Sequence, residues 1–143
     1  MKIQSVSLVG VQVVCIVYIL LSGFWLASPT WVWLEFVGAA LGAWAIATMK
    51  LRHLNAFPEP RRDARMVTAG PYRWIRHPMY SAALVMTLAL VIDQPTLARG
   101  IAWLILLADL LVKLHYEETL MSRRFPEYVA YRKRTKRLIP LVY

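Results

Sequence analysis

A chain of 143 residues supports one domain and not two, and its hydrophobic fraction of 59% exceeds the roughly 45–50% usual in soluble domains. A net charge of +9 would suit a nucleic-acid partner, but such proteins do not carry long uncharged runs like Ile3 to Leu34. The apolar and basic surpluses occupy different segments, which excludes a soluble nucleic-acid binder and points to a chain partly in lipid and partly at its surface.

The first predicted element is an apolar helix from Val6 to Ala27, rising about 33 Å and long enough to cross a hydrocarbon core of about 30 Å. Lys2 is a weak n-region, the apolar run is too long for a signal peptide, and no clean small-x-small cleavage site follows. The segment therefore reads as a retained span. Cys15 is a lone thiol inside it, unable to form an internal disulfide or a multi-cysteine metal site. Ser28, Pro29 and Thr30 break the helix, since proline disfavours helical geometry in the residue before it and suits a first helical turn. A second span follows from Trp31 to Met49. Trp25, Trp31 and Trp33 mark the membrane–water interface at the turn, and residues 6–49 form a predicted helical hairpin. Glu35 reads as interfacial. Gly38, Ala39, Gly42 and Ala43 form a small-residue stripe that permits close helix packing.

From Lys50 to His77 the composition turns basic and irregular, with Pro58 and Pro60 breaking any long helix. A third apolar stretch, Met79 to Ile92, rises only about 21 Å and needs shielding by protein or extension by its polar flank. Asp93, Gln94 and Pro95 end it. A fourth helix is expected from Thr96 to Arg123 or Arg124, with Ile101 to Leu114 in lipid. Lys and Arg number seven between Lys50 and Arg76 and seven from Arg123 to Arg137, against Arg99 alone between the third and fourth spans. The positive-inside rule then places both termini in the cytoplasm and the protein in the cytoplasmic membrane. The expected fold is all-α and integral to the membrane. It has four transmembrane or partly embedded helices in one domain (1–143) and a catalytic half at 65–140 that forms a cytoplasmic cofactor pocket.

Two clusters carry candidate chemistry. The first runs Gly70-Pro71-Tyr72-Arg73-Trp74-Ile75-Arg76-His77-Pro78-Met79-Tyr80. Gly-Pro makes a turn, and Pro78 fits a first helical position, which needs no amide donor. The positive end of that helix, with Arg76 and His77 beside it, suits an anionic group. A plain membrane anchor of aromatics and arginines would share this composition. The second cluster is His115-Tyr116-Glu117-Glu118, followed by Arg123-Arg124-Phe125-Pro126-Glu127-Tyr128 and Tyr131. Two adjacent acids where a helix leaves lipid must be solvated or paired. Glu117, Met121 and Arg124 share one helical face, which suits either a surface ion pair or a carboxylate beside an acid-gripping arginine.

In order, Gly-Pro-Tyr-x-x-x-Arg-His-Pro-x-Tyr at 70–80, Glu117-Glu118 with Leu120, Phe-Pro-Glu-Tyr-x-x-Tyr at 125–131 and Leu138-Ile139-Pro140 resemble isoprenylcysteine carboxyl methyltransferases and their bacterial relatives. Phospholipid N-methyltransferases look like more distant kin. The resemblance covers about residues 65–140. It implies a small helical membrane methyltransferase whose cofactor is S-adenosylmethionine. Carried over by motif, Gly70, Tyr72, Arg76, His77, Pro78, Tyr80 and Glu118 would bind the cofactor, while Glu117, Arg123 and Arg124 would serve catalysis on the acceptor side. The partners would be the bilayer and a lipophilic or small methyl acceptor, with carboxylate O-methylation favoured. With two spans ahead of its catalytic half, the chain is shorter than the eukaryotic prenylcysteine enzymes.

Three other readings share parts of the pattern. One is a metal site from His53, His77 and His115. Another is a non-enzymatic membrane subunit binding anionic lipid through its arginines. The third is an NADPH-dependent reductase of related helical plan.

Overall fold

A computed structural model describes residues 3–49 and 66–143, and among these the regular structure is helical throughout. Lys50, Arg52, His53, Pro58, Pro60, Arg61, Arg62 and Arg65 lie outside the described residues. Five α-helices follow in order: α1 Ile3–Leu21, α2 Val32–Met49, α3 Pro78–Asp93, α4 Leu97–Arg124 and α5 Tyr128–Arg134. A 3-10 turn, Gly70–Arg73, precedes α3. Helices α1 and α2 are long and apolar enough to cross a membrane, and α3 is a shorter apolar helix.

The first expected span is too long by six residues. Helix α1 stops at Leu21, because Ser22 and Gly23 end it and residues 22–31 are used as a tied-down turn. Glu35 is the tie. Its Oε2 accepts a 2.8 Å hydrogen bond from the Ala27 amide, so this carboxylate is buried and structural and not simply interfacial. The far end of the turn is fixed to the α3–α4 connection, where Gln94 accepts from the Phe24 amide at 3.3 Å. Arg99, only 1% exposed, donates to the Leu90 carbonyl at 2.8 Å in the same region. A Cβ on Gly23 would collide with the Arg99 guanidinium, so glycine is what lets the arginine in.

Helix starts follow local chemistry. Pro78 opens α3 at the position where a missing amide costs nothing, with His77 as the residue before it. Thr96 caps α4 by accepting from the Arg99 amide at 3.2 Å. At 28 residues α4 is about 42 Å long, longer than a hydrocarbon core of about 30 Å is thick.

Each N-terminal helix takes its principal partner from the second half of the chain: α2 packs on α3 and α1 on α4, while α3 also meets α4 and α1. The α2–α3 contact is close. A Cβ on Gly38 would come within 2.5 Å of the Met86 Cγ and 3.0 Å of the Ala82 carbonyl, and one on Gly42 within 3.3 Å of the Ala82 Cβ. Gly38 and Ala45 are buried, whereas Ala39 and Ala43 are exposed. The working stripe is thus Glu35, Gly38, Gly42 and Ala45 rather than the four residues expected from spacing. Within the bundle, Leu106, Leu110 and Leu114 on α4 pack with Cys15 and Leu84. In lipid such contacts gain by close packing, since the tails are as apolar as leucine.

Candidate functional site

The two predicted clusters meet. Glu118, 2% exposed, stands on α4 and accepts a 2.6 Å ion-paired hydrogen bond from Arg76 Nε, 42 residues earlier. His77 lies between the adjacent acids, its Nδ1 3.7 Å from Glu117 Oε2 and its Nε2 3.5 Å from Glu118 Oε1. Tyr80, on the first turn of α3, donates to Glu117 Oε2 at 2.9 Å and stacks on the His77 ring with centroids 5.2 Å apart. The spacing explains the geometry. His77 precedes the helix and Tyr80 lies three residues on, so both rings share the face that meets the end of α4.

A third stretch completes the cluster. Residues 135–138 run alongside 74–77: the Lys136 amide donates to the Trp74 carbonyl at 2.9 Å, the Arg76 amide to the Lys136 carbonyl at 2.8 Å, and the His77 amide to the Arg137 carbonyl at 3.1 Å. Ile75 and Lys136 form a parallel bridge. Arg76 spends its Nη1 on this stretch, donating to the carbonyls of Thr135 and Arg132 and to the Thr135 hydroxyl. Arg137 Nε reaches Glu118 Oε2 at 3.3 Å and Arg132 Nε reaches it at 3.8 Å. Ser81 donates to the Leu138 carbonyl at 2.6 Å.

Burial alone would raise the Glu118 carboxyl. The His77 ring and the Arg76 guanidinium outweigh it by hydrogen bonding and charge, and the group is held at about 2. Glu118 is therefore an anion across the physiological range, committed to neutralising Arg76. Glu117 differs: its side chain is 32% exposed, and among the described residues Tyr80 supplies its one hydrogen bond. Of the two acids, Glu117 is the one with an oxygen to spare.

Among the described residues the Tyr72 hydroxyl lacks a hydrogen-bond partner, while His77 Nε2 has only the Glu118 carboxylate, 3.5 Å away. Tyr72 is 5% exposed, and burial with the nearby Glu117 charge pushes its phenol above the usual tyrosine range. It stays a neutral donor. Orphaned buried donors cost about 1–3 kcal/mol each, and a bound molecule would relieve that cost. Tyr131, held at about 12 chiefly by burial, donates to the Tyr72 carbonyl at 2.6 Å and so fixes the 3-10 turn.

The other predicted site residues serve the backbone or lie outward. Gly70 takes φ +56, and a Cβ there would strike the Thr48 hydroxyl at the end of α2. Its glycine is thereby explained without any ligand. Pro78 is buried as the first residue of α3. Arg123 and Arg124 are exposed on the last turn of α4, with the Arg124 guanidinium 5.6 Å from the Phe125 ring. Sequence reasoning missed Arg137 and Arg132 as partners of the acids. The available signal was that Arg137 directly precedes the Leu138-Ile139-Pro140 motif. It also missed Asp109 and Lys113, which are buried on α4. Among the described residues, no three of His, Cys, Asp and Glu are grouped to hold a metal ion, and His53 lies outside those residues.

The sequence profile of the phospholipid methyltransferase family matches residues 11–128. The chain is 30% identical over 115 residues to the nickel-cobalt-cadmium resistance protein NccN of Alcaligenes xylosoxydans xylosoxydans, a match covering 79% of this chain and 54% of that protein. It thus spans about half the length of the curated relative it matches. No solved structure matches the chain.

Proposed function

The chain belongs to the phospholipid methyltransferase family, and on that premise we propose that it transfers a methyl group from S-adenosylmethionine to a lipophilic or small acceptor at the cytoplasmic membrane surface. A carboxylate oxygen is the favoured acceptor atom. All four long helices lie in or partly in the bilayer in this reading, with both termini cytoplasmic. The pocket opens where Arg76, His77 and the end of α4 converge.

The observation that carries the proposal is the buried Tyr72 hydroxyl beside the two acids, without a hydrogen-bond partner among the described residues. The residues fit a ligand of that kind. Tyr72 offers a neutral donor, Glu117 a spare carboxylate oxygen for hydroxyl or ammonium groups, and the stacked His77 and Tyr80 a flat wall. When bound, S-adenosylmethionine supplies an electrophilic methyl on a sulfonium, which leaves the protein the work of placement and water exclusion. Arg76 and Glu118 neutralise each other and hold the 74–77 segment against α4. Gly70 and Pro78 set the backbone on either side. A carboxylate acceptor is ionised at neutral pH and asks for no base, whereas an amine would need one from Glu117.

The test is titration of the full chain in lipid nanodiscs with S-adenosylmethionine and with its demethylated product. Micromolar binding is expected, weakened at least roughly tenfold in Glu117→Gln and in His77→Ala, each of which removes about one charged hydrogen bond or more. Tritiated methyl groups traced into membrane extracts then report the acceptor: release of label by mild base marks an ester, retention marks an amine. Undetectable binding by a folded wild-type chain would defeat the reading.

A further inference from the structure

Lys113 is the least expected residue of the bundle. It sits one turn below Glu117 on α4, in the segment read as lipid-embedded, and is 2% exposed. Its ammonium donates one hydrogen bond, to Gln12 Oε1 on α1 at 2.6 Å, and lies 5.3 Å from the centroid of the Tyr80 ring. Among the described residues no carboxylate reaches it within ion-pair distance. Two of its three donors are therefore unspent. Asp109, one turn deeper on the same helix and 8% exposed, has its Oδ2 without a hydrogen-bond partner among the described residues. A buried ammonium and a buried carboxylate oxygen, both incompletely satisfied at membrane depth, are costly features, and residues of this kind mark functional sites in membrane proteins.

Tyr80 joins this pair to the site already described: its hydroxyl binds Glu117 while its ring faces Lys113. The polar pair thus lies on the bilayer side of the cluster and Glu117 on the cytoplasmic side. We infer that Lys113, held by Gln12 and backed by Tyr80, anchors the acidic headgroup of an amphiphile that enters between α1 and α4. The inference rests on the methyl-transfer reading, for which Lys113 would be the residue that positions the acceptor. Unlike Arg123 and Arg124, which lie on the exposed last turn of α4, Lys113 is screened from water, where an ammonium attracts an anionic oxygen more strongly. Asp109 tempers the attraction by its like charge to the ligand.

The anionic oxygen can belong to a carboxylate or to a phosphate. The probes are therefore spin-labelled stearic acid, spin-labelled phosphatidic acid and the neutral methyl ester of the first, each in phosphatidylcholine nanodiscs holding the full chain. The readout is the immobilised fraction by electron spin resonance. Wild type should bind at least one acidic probe roughly tenfold more tightly than the ester, as loss of one charged contact implies. Lys113→Met should erase that preference and Lys113→Arg should restore most of it. Asp109→Asn should tighten acidic-probe binding, the opposite of what a lost structural contact would do. Circular dichroism verifies that each variant is folded. Equal binding of acid and ester by wild type, or a preference that survives Lys113→Met, overturns the inference. The titration with S-adenosylmethionine separates its failure from failure of the methyl-transfer reading, since that binding needs no acceptor.

Discussion

At the residue scale the two adjacent glutamates have separate tasks, and substitution should pull them apart. Glu118 is the shared anion of Arg76, Arg137 and Arg132, so Glu118→Gln leaves a buried guanidinium without its counter-charge. Removing one partner of such a pair costs about 3–5 kcal/mol, and thermal unfolding in detergent should show a large fall in midpoint. Glu117→Gln keeps the Tyr80 contact in another form and should lower the midpoint far less, while weakening cofactor binding. Acid exposes the same asymmetry. With its carboxyl at about 2 against an unfolded value of 4.5, Glu118 stabilises the fold above pH 4.5, and that contribution is lost as pH falls from 4.5 towards 2. Wild type should hold a level midpoint from neutrality to about pH 5 and drop below it, with a shallower drop in Glu118→Gln.

At the scale of elements, glycines decide how closely helices and turns approach. Gly38→Val would drive carbon into Met86 and the Ala82 carbonyl, and overpacking of this kind costs about 1–3 kcal/mol or more. Gly42→Ala, facing only the Ala82 Cβ, should be nearly tolerated; the two variants compared by unfolding in detergent test the α2–α3 register. Gly70→Ala combines a left-handed backbone penalty of about 1 kcal/mol with a clash against Thr48. Thr48→Ala should relieve the clash but not the backbone term, so a double-mutant cycle should recover part of the loss and never all of it. These elements were partly legible beforehand. Pro78 announced the start of α3 and Thr96 that of α4, because capping is written locally. Glycine spacing announced close packing but could not say that the neighbour was α3, nor that Ala39 and Ala43 would face outward. Residues 135–138 carried no periodicity, so beyond the motif that begins at Leu138 nothing in the pattern indicated their pairing with 74–77.

Across the whole molecule, the site is assembled from three stretches that are far apart in the chain. Removal of residues 135–143 should leave membrane insertion intact, since the apolar helices are untouched, and abolish cofactor binding. Alkaline extraction of membranes and the same titration measure the two effects independently. Topology is testable as well: a fluorescent protein fused after Tyr143 should fluoresce and alkaline phosphatase fused there should be inactive, the outcome expected of a cytoplasmic terminus. What composition conveyed at this scale was a chain with helices apolar enough to cross a membrane. What it hid was Lys113 and Asp109, two charges overlooked in a stretch whose average is apolar.

The Arg76–Thr135 contact closes a loop of 59 residues, and it imposes an order on biogenesis. Helices can enter the bilayer one by one, but the Arg76 guanidinium must wait for carbonyls that are synthesised only after α4 and α5 have been made. Until α4 supplies Glu118 that arginine sits beside the nascent third helix without its counter-charge, and until residue 135 it lacks its last acceptors. Closure of so distant a contact is intrinsically slower than helix formation. The slow phase of maturation should therefore be this docking event, and pulse-labelled chains should become resistant to protease at residues 74–77 later than they become resistant to extraction from the membrane.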